Sequence, residues 1–321
     1  MSFKTLILAA TSVAALALPA FAQSYPDRAV TIVVGNNPGG GIDAMARRVA
    51  DALSTKWGQP VVVENRPGAD GTVAAILVAE AAKDGYTLLM ASNGFTLAPL
   101  QMETSYDPVT SFTHIMQVAD MPLVLAANPA SRVSKAEELI EKANANPNTF
   151  NGGASGNANA TFNALTQLVK QSGADIEVIP YTGAAAMMTA LLANEVQVGF
   201  SSIAGIAPQL LSEGGTLQPL ALTAKERSHR LPEVPTVKEA FGLDDFELWS
   251  AWYGLFAPAG VDPALADKIN ADLRDALENG GLGDALKADG MTLIASTPAE
   301  LKATMEMHGE KFPGLLGLEK K

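Results

Sequence analysis

The feature that most constrains this chain is a regular alternation of two hydrophobic patterns. Residues 30–34 form a β-branched run, and from Ile42 to Leu53 apolar residues recur at helical spacing. Further short apolar runs, each separated from the next by helical spacing, lie at 61–63, 87–90, 123–127, 176–179 and 196–200. Strands that alternate with helices form βαβ units. The sequence therefore predicts an α/β fold of mostly parallel sheets flanked by helices.

Two loops of small and polar residues, 35–41 and 152–161, each follow a predicted strand and precede a helix. The free N–H groups and the dipole of a helix N-terminus attract anions. Ligands of open α/β sheets bind beyond the carboxyl ends of the strands, where these loops lie. One loop in each of two lobes would let a single anionic solute draw the lobes together. The alternative is that both loops are only well-capped helix starts.

The N-terminus has the pattern of an export signal. Lys4 precedes an apolar run over 6–18, and Ala20-Phe21-Ala22 is typical of a cleavage site. The apolar run is shorter than a membrane span requires. We expect a leader over 1–22 that is cleaved after Ala22, and an exported, periplasmic protein. A retained N-terminal helix buried in the fold is the alternative.

Composition excludes several classes of partner. The formal net charge is −12, which argues against nucleic acid and against an anionic membrane surface. The chain has no cysteine, so an exported protein of this sequence depends on its hydrophobic core instead of disulfides. About 300 residues follow the leader, enough for two domains. We expect a monomer.

The residues needed for catalysis are sparse. The three histidines, His114, His229 and His308, form no His-x-x-x-His pair, and there is no cysteine for a structural zinc site. The stretch 153–157 lacks the closing glycine of a nucleophile elbow. We therefore predict no catalytic residues, no metal and no enzymatic activity; an exported hydrolase is the weaker alternative.

A dinucleotide fingerprint is the one cofactor pattern to weigh. Residues 39–44 fit Gly-x-Gly-x-x-Ala, and Glu64 ends the next predicted strand. Four residues, 35–38, separate the first strand from the glycines, whereas the Rossmann turn is tight. The leader also directs the chain away from the cytosolic nicotinamide pool. We predict no cofactor.

A family resemblance rests on an ordered set of motifs. These are Pro38-Gly39-Gly40-Gly41-Ile42-Asp43, the stretch 59–69 (Gln-Pro-Val-Val-Val-Glu-Asn-Arg-Pro-Gly-Ala), and the stretches 84–89, 180–183, 231–237 and 254–260. With them the chain resembles the Bug or TctC family, the extracytoplasmic solute receptors of tripartite tricarboxylate transporters, over essentially all of its length after the leader. The resemblance implies a two-lobed periplasmic binding protein fold with a ligand cleft between the lobes. It also implies capture of a small carboxylate and its delivery to a membrane permease.

The resemblance also indicates which residues hold the ligand. The family's first loop and the opposing loop of the second lobe correspond here to Asn36, Asn37, Gly39, Gly40 and Gly41, and to Ser155, Gly156, Asn157 and Thr161. The loop after the third strand adds Asn93 and Thr96, and the second lobe adds Tyr181 and Ser201. Asp43 is interpreted as a first-turn helix residue instead of a ligand contact.

The chain departs from the family pattern at three places. Asn36 and Asn37 stand where aromatic and proline residues are common, which makes the pocket floor more polar. Ser201-Ser202 replaces a segment that usually carries a carboxylate, which disfavours amino acids as ligands, and Thr182 replaces a frequent lysine.

Together these observations predict an extracytoplasmic receptor for a di- or tricarboxylate or an aromatic acid, serving a tripartite tricarboxylate-type transporter. A periplasmic sensor that presents the same solute to a signalling receptor is the alternative. We expect the first lobe to comprise 23–121 plus 253–321, and the second lobe 122–252.

Overall fold

The computed structural model describes residues 25–156, 159–210 and 215–318; the predicted leader and Asn157 lie outside these ranges. The strands are β1 (Val30–Val34), β2 (Val61–Asn65), β3 (Thr87–Ala91), β4 (Phe112–Met121), β5 (Leu123–Ala127), β6 (Phe150–Ala154), β7 (Ile176–Pro180), β8 (Val198–Ser202), β9 (Gln218–Leu222), β10 (Ala251–Pro258) and β11 (Thr292–Leu293). The helices are α1 (Gly41–Trp57), α2 (Thr72–Ala79), α3 (Asn93–Gln101), α4 (Ala136–Ala145), α5 (Ala160–Ser172), α6 (Ala184–Leu192), α7 (Ile203–Leu210), α8 (Val237–Phe241), α9 (Pro263–Glu278), α10 (Leu282–Ala288) and α11 (Pro298–Leu315).

The first sheet has the strand order β11-β4-β10-β3-β1-β2. Strand β1 is parallel to both β2 and β3, while β10 runs antiparallel to β3 and β4. Val30, Ile32, Val33 and Val34 of β1 are completely buried. This near-continuous burial is typical of a strand covered by helices on both faces, and it explains the unbroken β-branched run in the sequence.

The second sheet has the order β7-β6-β8-β5-β9. Strand β6 is parallel to β7 and β8, and β5 is antiparallel to β8 and β9. The α/β prediction is confirmed, but both sheets are mixed and not mostly parallel. A parallel neighbour requires a helical crossover. The chain enters β5 and β10 from the other sheet and not through a helical crossover within the same sheet. These two strands can therefore lie antiparallel to their neighbours.

The chain passes between the sheets at two adjacent points. Pro122 alone separates β4 of the first sheet from β5 of the second, and Ser250 directly precedes β10 on the return. The Ser250 hydroxyl donates to the carbonyl of Thr223 at 2.5 Å, and the Leu123 N–H donates to Thr223 Oγ1 at 2.9 Å. These buried hydrogen bonds fasten the two passages to each other.

Helices α1, α3 and α5 begin beyond the carboxyl ends of β1, β3 and β6. This edge of the two sheets therefore gathers three helix N-termini, and it contains the cleft described below. Over the described ranges, none of the helices combines the length and apolarity needed to cross a membrane.

Candidate ligand-binding cleft

A cleft of about 530 Å³ opens where these three helices begin. Its walls come from both sheets: the loops after β1, β2 and β3 form one side, and the start of α5 forms the other. Polar and glycine residues among the described lining are Gly35, Asn36, Gly40, Gly41, Asp70, Gly71, Ser92, Asn93, Gly94, Gln101, Gly156 and Asn159. Phe95 and Tyr253 add aromatic surface.

The helix N-termini are the electrostatic feature of this cleft. Gly40 is the extended N-cap of α1 and Ser92 that of α3, and neither helix has a side-chain cap hydrogen bond. The first N–H groups of such helices lack intrahelical partners, and the dipole favours a negative charge there. The cleft can therefore accept an anion on main-chain donors alone.

Asp43 fixes the loop that leads into α1. Its buried carboxylate accepts hydrogen bonds from the Gly39 N–H at 2.9 Å, from Arg47 Nε at 2.9 Å and from Asn65 Nδ2 at 2.9 Å. The hydrogen bond from Arg47, followed by that from Gly39, lowers the pKa of Asp43 to about 2. These hydrogen bonds hold the loop in place. Asp43 itself is not among the residues that line the cleft.

The loops of the first sheet approach one another backbone to backbone. A Cβ atom on Gly35 would lie 2.4 Å from Gly71 Cα, and one on Gly94 would lie 2.4 Å from the Asp70 carbonyl oxygen. Only glycine allows these contacts. They clamp the turn at 68–71 between the loops that follow β1 and β3.

Asn93 links the cleft to the passage between the sheets. Its Nδ2 donates to the Ser250 carbonyl at 3.0 Å, and its Oδ1 accepts from the Trp252 N–H at 3.3 Å. Thr96, one turn later and also buried, donates to the Asn93 carbonyl at 3.1 Å. The side chain of Asn93 is thus committed to the protein, and its main chain is the part placed to meet a ligand.

On the other wall, three residues form a hydrogen-bond network at the start of α5 through their side chains and the Ser155 main-chain N–H. The Ser155 N–H donates to Thr161 Oγ1 at 3.0 Å, Thr161 Oγ1 donates to Asn159 Oδ1 at 2.8 Å, and Asn159 Nδ2 donates to Ser155 Oγ at 3.2 Å. Asn159 is also the helix cap, because its Oδ1 accepts from the Phe162 N–H at 3.2 Å. The network shapes the loop and leaves Gly156 and Asn159 lining the cleft.

Five of the site residues predicted from the sequence come together in the cleft: Asn36, Gly40, Gly41, Asn93 and Gly156. Asn157 lies outside the described residues. The others do not line the cavity as described: Asn37, Gly39, Thr96, Ser155, Thr161, Tyr181 and Ser201. Of these, Tyr181 donates its N–H to the Ala154 carbonyl at 2.8 Å and Ser201 is buried on β8. Ligand contact by any of the predicted residues stays a prediction.

The sequence-based site omitted Asp70 and Tyr253. A signal existed for Asp70, because the glycines at 68 and 71 follow β2 and so belong to the same edge of the sheet. Tyr253 lies on β10, which joins the sheet from far along the chain, so no local pattern could place it here. Burial raises the pKa of Tyr253 to about 12, so its hydroxyl stays protonated and able to donate.

Charge is scarce in the cleft. Among the described lining residues Asp70 alone carries a formal charge, and none is Lys, Arg or His. In the same part of the chain, no three His, Asp or Glu side chains stand close enough together to hold a metal ion. The attraction for an anion must therefore come from the helix N-termini and from neutral donors.

Comparison with known proteins agrees with this geometry. The family described as tripartite tricarboxylate transporter family receptor matches residues 45–307. The chain is 32% identical to protein BugT of Bordetella pertussis over 308 residues, which are 94% of this chain and 93% of BugT.

Solved structures of similar proteins share the fold of this chain. The R. palustris protein Rpa4515 with adipate has a TM-score of 0.75 and 26% identity, with 91% of this chain and 97% of that chain covered. MatC from Rhodopseudomonas palustris with bound malate has a TM-score of 0.72 and 27% identity, with 91% and 99% covered. These likenesses confirm the predicted two-lobed binding-protein fold. The matched family is a family of receptors, in agreement with the prediction that the chain is not an enzyme. The chain belongs to the Bug/TctC family of periplasmic solute-binding receptors.

Proposed function

We propose that this protein captures a small organic carboxylate in the periplasm and delivers it to a membrane transporter of the tripartite tricarboxylate type. The observation that carries this proposal is the convergence of the α1, α3 and α5 N-termini on one cleft. A carboxylate fits this cleft because it can accept several main-chain N–H groups and gain from the dipoles. Such a site needs no cationic side chain, in keeping with the described lining.

The ligands of two relatives support the same chemistry. Rpa4515 was solved with adipate and MatC with malate, and both compounds are small dicarboxylates. We therefore keep di- and tricarboxylates, together with aromatic acids, as the first compounds to test. The volume of about 530 Å³ is ample for molecules of this size.

We further propose that binding closes two lobes, 23–121 with 253–321 and 122–252. The first loop and the start of α3 would contact the ligand from one lobe, and Gly156 with Asn159 from the other. Pro122 and Ser250 stand at the two passages between the sheets, where rotation of one lobe against the other is most easily accommodated. A ligand that contacts both walls binds the closed state more tightly and so shifts the population toward it.

The test exploits free space at Gly40. A Cβ there would have the Asn37 carbonyl oxygen, at 3.7 Å, as its nearest neighbour, and the φ angle of −79° suits any L-residue. Gly40→Asp and Gly40→Asn should therefore both fold. Only the first places a negative charge at the start of α1, where two like charges about 4 Å apart repel by about 4 kcal/mol at an effective dielectric constant of about 20.

The measurement is a thermal-shift and calorimetric screen of the purified protein against adipate, malate, citrate, aromatic acids and neutral sugars. A bound ligand raises the unfolding free energy by about 2.7 kcal/mol at one hundred times Kd. We expect the wild type to bind one or more acids. Asn and Asp can both cap α1, so their shared effect cancels in the comparison, and Gly40→Asp should bind the acid at least about tenfold more weakly than Gly40→Asn does. Equal affinity of the two variants, or binding of sugars alone, would refute the proposed function.

A further inference from the structure

Asp70 places a negative charge in a cleft that is otherwise suited to an anion. It lines the cavity together with the start of α1 and of α3, and its side chain is exposed. None of the ion pairs among the described residues includes it. It is therefore a carboxylate within a ligand cleft that has no cationic partner in the described part of the protein.

The backbone at Asp70 is strained. Asp70 has φ 53° and ψ 34°, the preceding Ala69 has φ 44°, and the flanking Gly68 and Gly71 have φ 145° and 91°. L-residues rarely adopt this left-handed region, although Asp tolerates it better than most. Non-glycine residues held in such a conformation cluster at ligand clamps and active sites.

The surrounding loops hold this strained turn in place. The Asp70 carbonyl oxygen sits against Gly94 at the start of α3, so closely that a Cβ there would lie 2.4 Å away. Gly71 sits equally close to Gly35, at the end of β1. The turn is fixed by two backbone contacts, so Asp70 is kept at the cleft despite the cost of its conformation.

From this arrangement we infer that Asp70 selects carboxylic acids whose second polar group is cationic or a hydrogen-bond donor. The inference rests on the proposed function, because the helix N-termini must already hold one carboxylate of the ligand. A second carboxylate near Asp70 would meet a like charge with no Lys, Arg or His in the described lining to offset it. An ammonium group would instead form an ion pair.

The experiment compares three probes of similar length that differ only at one end: 6-aminohexanoate, adipate and hexanoate. Each is titrated by calorimetry into the wild type and Asp70→Asn. Asn fits the left-handed region, so the fold is kept while the charge is removed. Asp267→Asn is the matched control, since it removes the same charge from an exposed position of α9 that does not line the cleft.

We expect the wild type to bind 6-aminohexanoate about tenfold or more tightly than adipate. Asp70→Asn should weaken 6-aminohexanoate by about tenfold, strengthen adipate, and leave hexanoate within about twofold, while Asp267→Asn changes none of them. A wild type that prefers adipate, or an Asp70→Asn variant with an unchanged ratio, overturns the inference and leaves the proposed function standing. If no carboxylate in this set or in the wider panel binds, the proposed function fails and the inference fails with it.

Discussion

The side-chain amide of Asn93 donates to the main-chain carbonyl of Ser250 at 3.0 Å, which joins the wall of the cleft to the passage between the two sheets. Both residues are buried, and the Ser250 hydroxyl continues the chain of hydrogen bonds to the Thr223 carbonyl at 2.5 Å. The start of α3 is therefore tied to the second passage by a buried hydrogen bond. A substitution at Asn93 should therefore lower both the unfolding free energy and the affinity for the ligand.

Asn93→Asp tests this link with almost no change of shape. The substitution replaces the donor that faces the Ser250 carbonyl with a second acceptor, so a buried carbonyl loses its partner and meets a like partial charge. We expect the unfolding free energy to fall by about 1–3 kcal/mol. Affinity for the carboxylate found in the screen should fall as well, because the new charge stands at the start of α3. Urea unfolding with and without that ligand measures both effects; unchanged stability would contradict the proposed link.

Gly35→Ala should disrupt the cleft through packing alone. The added Cβ would lie 2.4 Å from Gly71 Cα, and because the obstacle is backbone, the turn at 68–71 must move. Inserting a methyl group into such a contact costs about 1–3 kcal/mol. Affinity should fall too, since the turn carries Asp70. Gly40→Ala is the matched control: its Cβ has room, and its stability should stay within about 0.5 kcal/mol of wild type in urea unfolding. Equal stability of the two variants would show that the turn can shift freely.

The sequence predicts the core of this fold well because the periodicity of buried strands is a local property. The run 30–34 and the helical spacing from Ile42 correspond to β1 and α1. The mixed sheets were not predicted, because the partners of β10 are set by contacts distant along the chain: Leu255 pairs with Met90 and Met116. Local sequence patterns do not indicate which distant strands pair with each other.

The candidate site was predictable in its main chain and less so in its side chains. Loops that follow a strand and open a helix place Gly40, Gly41 and Gly156 at the cleft wherever the side chains point. Ser155 and Thr161 were expected to face a ligand, yet they hydrogen-bond to each other at 3.0 Å. A hydroxyl near a helix start can satisfy either the loop or a ligand, and its residue type does not distinguish the two.

Asp43→Asn should show how much the first loop depends on its buried carboxylate. The pKa of Asp43 is about 2, below its ordinary value of 3.8, because Arg47 and the Gly39 N–H stabilise the charged form. We expect a loss of about 1–3 kcal/mol at pH 7. Since the folded pKa is depressed, this stabilisation is present above about pH 4 and is lost as the pH falls toward 2. Urea unfolding at pH 7 and at about pH 3 should therefore show a smaller difference from wild type at the lower pH.

The control for Asp43 is an exposed ion pair. Lys238 and Asp244 are 2.8 Å apart with side chains 74% and 68% exposed, and exposed pairs contribute little to stability. Asp244→Asn should change the unfolding free energy by less than about 1 kcal/mol. If both variants lose the same amount, the loop does not depend on Asp43 in the way proposed.

Asp120, near the end of β4, should make stability depend on pH in the opposite direction. Burial raises its pKa to about 6, although Gln117 donates to Oδ1 at 2.6 Å and Lys225 lowers the pKa in part. Because the folded pKa lies above that of the unfolded chain, the stabilising contribution is complete below about pH 4 and is lost as the pH rises through about 6. Asp120→Asn cannot ionise, so relative to wild type it should gain about 1–3 kcal/mol between pH 4 and pH 7.

The comparison must separate Asp120 from His308, whose pKa burial lowers to about 4. His308 favours the folded state above its ordinary pKa and loses that contribution as the pH falls toward 4, so it opposes Asp120 over the same range. It is present in both proteins, and its effect therefore cancels when the unfolding free energy of the variant is compared with that of wild type at each pH. A difference that rises from pH 4 to about pH 7 and then levels off assigns the titration to Asp120. A difference that stays constant over this range would mean that the carboxylate is solvated in the folded protein and that the end of β4 is more open to water than its burial implies.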